Sequence, residues 1–172
     1  MMKKMVQFTI LPLLFLLVCS GQVLSFTDPA GLYSTTIPES WIYQGQRSSE
    51  QISVFYGEGD YDLLYFQDLG VIADNTVESF LQRSLDLYGG PGGLQEFQLE
   101  LPPHPIQVAG EQGLACGYTY KEQGGNRLWE YRIFLLLPQQ RGFSLTLGGG
   151  GPWVDREYPI LEEILSQWRW LF

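Results

Sequence analysis

Four stretches of this sequence hold residue types and spacings that chemistry can use. "LGGGGPWVDRE" joins an alternating apolar segment to a helix-like pattern through Gly148, Gly149, Gly150 and Gly151. A strand, a Gly-rich loop and a helix in that order can cradle phosphate with backbone amides. The stretch lacks the Lys and hydroxyl that reach the phosphates and their metal, Pro152 removes one amide, and Asp155 would repel an anion. It reads as a mobile or tight-turn linker. "GEGDYD" offers Glu58, Asp60 and Asp62, alternating carboxylates of the kind that converge on calcium. The further ligands of an EF-hand loop are missing, so the three read as solvated hairpin acids. His104, the one histidine, stands between Pro103 and Pro105. A general base there needs a nucleophile and a carboxylate that no local motif supplies, and it reads as an exposed loop residue. Cys116 alternates with Leu114, Tyr118 and Tyr120 in "LACGYTY", which is the place of a buried thiol and not of a nucleophile. No catalytic residue, cofactor or metal site is expected from these motifs. Paired carboxylates of a hydrolase stay open, because sequence spacing does not set their separation.

Aromatic side chains are the other resource. Trp41, Tyr43, Trp129, Tyr131, Trp153, Trp168 and Trp170 are more than one small core hides. Exposed aromatics beside a groove serve as binding anchors. Trp153 in the Gly-rich corner, Trp170 off the last apolar stripe, and Trp41 are the expected ligand- or partner-binding residues.

The elements that must position these residues are short and regularly punctuated. "GLYSTTIP" sets Tyr33, Thr35 and Ile37 on one face, and "QISVFYG" sets Ile52, Val54 and Tyr56 together. "DLLYFQDLGVI" is apolar enough for a central strand. Val77, Phe80, Leu81, Leu85 and Tyr88 recur at helical spacing, with Asn75 and Glu78 as a capping box and Gly89 as a left-handed cap. "LQEFQLEL" turns Phe97, Leu99 and Leu101 one way, and "PPHPIQVAG" breaks it before a short strand. "LACGYTYK", "RLWEYRIFLLLP" and "GFSLTLG" follow as three hairpin-linked strands. The middle one carries Trp129, Tyr131, Ile133, Leu135 and Leu137 on one face and Leu128, Phe134 and Leu136 on the other. Ile160, Leu161, Ile164, Leu165, Trp168 and Leu171 form the stripe of a last helix of at least four turns, with Asp155 as its cap. These patterns predict an α+β fold: a mostly antiparallel sheet of about eight short strands with a helix on each face.

The first residues lie outside that pattern. Lys3 and Lys4 precede an apolar run from Val6 to Val18, and "CSGQVLSF" supplies small residues. This reads as an export signal over residues 1–25, with cleavage after Ser25 or after Ser20, followed by a single domain over 26–172. The run is shorter than the ~20 residues of a membrane span. A lipid anchor on Cys19 is disfavoured by Val18 directly before it. Loss of Cys19 would leave Cys116 without an intramolecular disulfide partner. The net charge is −9, and removing Lys3 and Lys4 makes the chain more acidic still. Such a surface repels nucleic acid.

The order of these landmarks resembles the PsbP-like family, with which DcrB-like envelope proteins share the pattern. "YSTTIPESW" resembles its opening strand and turn, "TVESFLQRSL" its first helix, "GLACGYTY" its meander and "ILEEILSQWRW" its last helix. The resemblance covers roughly residues 28–172. It implies an α/β/α sandwich and a non-enzymatic, exported accessory or binding protein, with a protein or small ligand of the cell envelope as partner. The photosystem member works with manganese and calcium. The single histidine here departs from that, and no metal site is carried over. The alternative is a carboxylate-dependent secreted hydrolase.

Overall fold

The computed structural model describes residues 22–152 and 159–172. Among them, the chain forms β1 (Val23–Thr27), β2 (Tyr33–Pro38), β3 (Ile42–Tyr43), β4 (Ile52–Tyr56), β5 (Leu63–Val71) and helix α1 (Val77–Gly89). There follow β6 (Gln95–Val108), β7 (Glu111–Lys121), β8 (Arg127–Leu137), β9 (Arg141–Gly150), α2 (Pro159–Ser166) and β10 (Arg169–Trp170). One seven-stranded antiparallel sheet has the order β3-β4-β5-β9-β8-β7-β6, and β1-β2-β10 form a separate three-stranded sheet. The fold is α+β and mostly antiparallel, but the expected single sheet is two.

β8 lies deep in the larger sheet, and its alternation separates two clusters. Trp129, Tyr131, Ile133, Leu135 and Leu137 join the main core with Tyr33 and Ile37 of β2, Phe143 and Leu145 of β9, and Leu161 and Ile164 of α2. Phe134 joins a second cluster with Phe80 and Leu81 of α1 and Cys116 and Tyr118 of β7. The three-stranded sheet is fastened to the main core by aromatic packing. Trp168 stacks on Tyr33 at 4.3 Å between ring centres, and Thr35 Oγ1 donates to the Ile164 carbonyl at 2.6 Å. Burying two such rings against each other adds to the gain from their area alone.

Several local expectations are corrected. The cap of α1 is Thr76, whose Oγ1 accepts from Ser79 N at 3.1 Å, in place of Asn75 and Glu78. Gly89 ends the helix and Gly90 follows in extended backbone, so no left-handed cap forms. β9 runs on through the glycines as far as Gly150, pairing Gly149 with Trp129. A Cβ at 149 would come within 2.8 Å of the Trp129 ring, so the glycine makes room for that indole. The turn begins only at Gly151, where φ is +94°. The last helix covers eight described residues, and the chain after it becomes β10. Its proposed cap, Asp155, lies outside the described residues. "PPHPIQV" does not break the strand but continues it as β6, with register shifts. Those shifts place Phe97 against the second cluster and Leu101 against the main core, although both are odd-numbered. Pro102, Pro103 and Pro105 are tolerated because β6 is an edge strand.

Candidate functional site

β8 also places two charged side chains among the apolar ones. Glu130 and Arg132 share the side of Phe134, and both are buried. β9 keeps that side small, with Ser144, Thr146 and Gly148 opposite Phe134, Arg132 and Glu130. The Glu130 carboxylate accepts from Tyr118 Oη at 2.5 Å, Tyr120 Oη at 2.9 Å and Tyr65 Oη at 3.5 Å. Burial, and then the charge of Glu130, push the Tyr118 and Tyr120 phenols well above their usual range. Burial also raises Tyr65, to about 12. All three stay protonated donors at neutral pH.

Arg132 Nη2 donates to Gln67 Oε1 at 3.2 Å and Ser144 Oγ at 3.1 Å. Its guanidinium lies 5.4 to 5.5 Å from the ring centres of Tyr65, Tyr88 and Phe134, within cation–π range. Burial opposes its charge, and the surrounding phenols with Glu130 outweigh burial, so it remains a cation. Its Nε has no hydrogen-bond partner. A buried donor left unpaired costs about 1–3 kcal/mol, so this guanidinium has unspent capacity.

Arg132 is one of the residues that line a cleft of about 350 Å³ between α1 and the sheet. It is lined by Phe80, Ser84, Leu87 and Tyr88 of α1, by Gln67, Leu69 and Ile72, and by Arg132 and Phe134 of β8. Arg83 lines the cleft and pairs with Asp74. No Asp or Glu is among the described lining residues. A wider depression of about 720 Å³ is lined by exposed and half-buried residues of 90–95 and 120–123.

The sequence-selected residues are dispersed. Trp41 is buried in the main core. Trp170 packs against that core and donates from Nε1 to the Val108 carbonyl at 3.1 Å. Trp153 lies outside the described residues. No ring contact joins Trp41 to Trp170. In the β4–β5 turn, Asp62 Oδ2 accepts from Gly59 N at 2.8 Å, and this carboxylate closes the turn. Among the described residues no three His, Cys, Asp or Glu side chains are grouped for a metal ion. His104 sits on β6 and not in a loop, half-buried, with Nε2 3.0 Å from Tyr131 Oη. Glu130 and Arg132 went unselected by sequence. Their signal was two charges at alternate positions inside "LWEYRIFLLL".

Cys116 is fully buried, and burial raises its thiol to about 12. In native buffer it is expected to react with a thiol reagent only as fast as the protein opens. Labelling as rapid as in denaturant would show an accessible thiolate instead.

An antiparallel seven-stranded sheet carrying a second small sheet and two helices in this order is the PsbP/Mog1-like fold, and the chain has it. A solution structure of the cyanobacterial PsbP (CyanoP) from Synechocystis sp. PCC 6803 superposes with a TM-score of 0.58 at 14% identity, covering 89% of this chain and 95% of that one. A mutant of the protein Mog1 superposes with a TM-score of 0.61 at 11% identity, covering 87% and 96%. A Bacteroides thetaiotaomicron VPI-5482 structure gives 0.58 at 10% identity, and this chain spans 47% of its length. No protein-family profile and no curated protein sequence matches the chain.

Proposed function

We propose that the protein is a non-enzymatic binding module that works outside the cytoplasm, a sandwich with a helix on each face whose ligand enters the cleft under α1. One observation carries this reading: the described lining of the cleft presents a buried cation and aromatic faces and no carboxylate or imidazole, and its one serine, Ser84, donates its hydroxyl to the Phe80 carbonyl. Such a surface can hold a molecule, and its described lining sets no base beside a hydroxyl to activate it. The cleft is preferred to the corner around Trp153, Trp170 and Trp41, because core contacts hold Trp41 and Trp170. The hydrolase alternative would need Glu130 to act, and three phenols already occupy its oxygens. The test is a panel of esters, glycosides, peptides and phosphate esters incubated with the purified protein. No turnover above buffer is expected. Turnover that disappears in Glu130→Gln would establish the hydrolase.

Export bears on the same reading. Cleavage after Ser20 keeps β1 whole, whereas cleavage after Ser25 removes Val23, Leu24 and Ser25 and their pairing with Pro38, Ile37 and Thr36. The mature chain is therefore expected to begin at Gly21. Intact mass of the protein from its native host decides it. A chain beginning at Phe26 contradicts the expectation, and a diacylglycerol adduct on Cys19 would make the protein membrane-anchored.

A further inference from the structure

We propose that the cleft under α1 binds a small organic monocarboxylate with an apolar body, its carboxylate held by Arg132. This rests on the binding reading above and names the ligand class. Arg132 is 7% exposed, and its Nε is a buried donor without a partner. Gln67 and Ser144 engage only Nη2, while aromatic rings flank the group. A carboxylate oxygen is a charge-assisted acceptor suited to the unpartnered Nε–H.

Charge selects in the same direction. The chain carries 19 acidic residues against 10 basic ones, yet two arginines and no acid line this cleft. Arg83 is paired with Asp74, and Arg132, with Glu130 as its nearby anion, still holds a donor without a partner. With Glu130 already beside the guanidinium, a monocarboxylate adds one negative charge to this site and a phosphate dianion would add two. The apolar body has its place too. Leu69, Ile72, Phe80 and Leu87 line the cleft, and its volume of about 350 Å³ lies in the range of small-ligand sites.

The test titrates the mass-verified mature protein with octanoate and phenylbutyrate, and with the corresponding neutral amides, followed by amide chemical shifts. The carboxylates are expected to bind at least ~10-fold more tightly than the amides and to perturb residues 67–72 and 80–88. Leu87 is 63% exposed, so its substitution leaves the buried network intact. Leu87→Lys is expected to tighten carboxylate binding a few-fold and Leu87→Glu to weaken it, with unchanged melting temperatures. Arg132→Met is expected to abolish the preference for carboxylates. Equal affinity for acids and amides would overturn the anion assignment and leave a neutral-ligand cleft. Shifts confined to other surfaces, or none with any probe, would overturn the site itself. The turnover panel decides the non-enzymatic reading independently of either result.

Discussion

Raising the pH through 10 toward 12 is expected to unfold the protein in one cooperative step. Burial raises the phenols of Tyr33, Tyr65, Tyr88, Tyr118, Tyr120 and Tyr131 above the ordinary value of 10.0, Tyr65 and Tyr131 to about 12. The native state keeps these protons over a range where the unfolded chain releases them. It binds more protons than the unfolded state there, so stability is complete below pH 10 and falls above it. Each retained proton contributes a slope of about 1.4 kcal/mol per pH unit, and the five most strongly raised phenols together about 7 kcal/mol per unit. A total stability of about 5–15 kcal/mol does not survive two such units. Tyrosinate absorbance and far-ultraviolet circular dichroism, titrated together, are expected to change at the same pH. Gradual phenol ionisation with unchanged dichroism through pH 12 would mean that these rings are open to solvent.

Glu130→Ala is expected to be the most damaging single substitution on the α1 side of β8. It strips the acceptor from Tyr118, Tyr120 and Tyr65 and takes the nearest anion from buried Arg132. Breaking one partner of a buried charged network costs about 3–5 kcal/mol. Glu130→Gln keeps an oxygen acceptor and is expected to cost less, about 1–3 kcal/mol. Urea unfolding of both variants separates the outcomes. A loss below ~1 kcal/mol for the alanine variant would show that water or another acceptor replaces the carboxylate.

The meander was legible because β7, β8 and β9 obey a two-residue period without interruption, and the period itself buries Cys116, Ile133 and Leu145. α1 was legible from its apolar spacing, although its cap was misplaced by one residue, because Thr76 and Ser79 offer the same reciprocal bonds as Asn75 and Glu78. The last helix was over-extended for a physical reason. Trp168 keeps the helical period, but its ring stacks on Tyr33 and the Trp170 indole is tied to Val108, so tertiary contacts bend the chain into a strand. β6 escaped because bulges reset which face a residue meets, and sequence parity cannot register them. The Glu130 and Arg132 layer was hidden by distance. Their partners come from several strands: Tyr118 and Tyr120, 12 and 10 residues from Glu130, Ser144, 12 from Arg132, and Tyr65 and Gln67, each 65 residues away. The wide aromatic inventory drew attention to indoles that the core in large part consumes.

The edges of the two sheets are unequally guarded, and this decides how the protein behaves when concentrated. β6 has prolines where a second chain would seek amide donors, and β3 and β10 are two residues long. Residues 95–101 of β6 are free of proline but carry Glu96 and Glu100, whereas the five residues of β1 carry no charge, with Val23 41% and Leu24 53% exposed. Fibrillar or amorphous self-association therefore has its least guarded template in Val23–Thr27, next to the expected processing site. A charge at position 24 would blunt that template, and a preparation whose amino terminus is trimmed past it would lose it altogether.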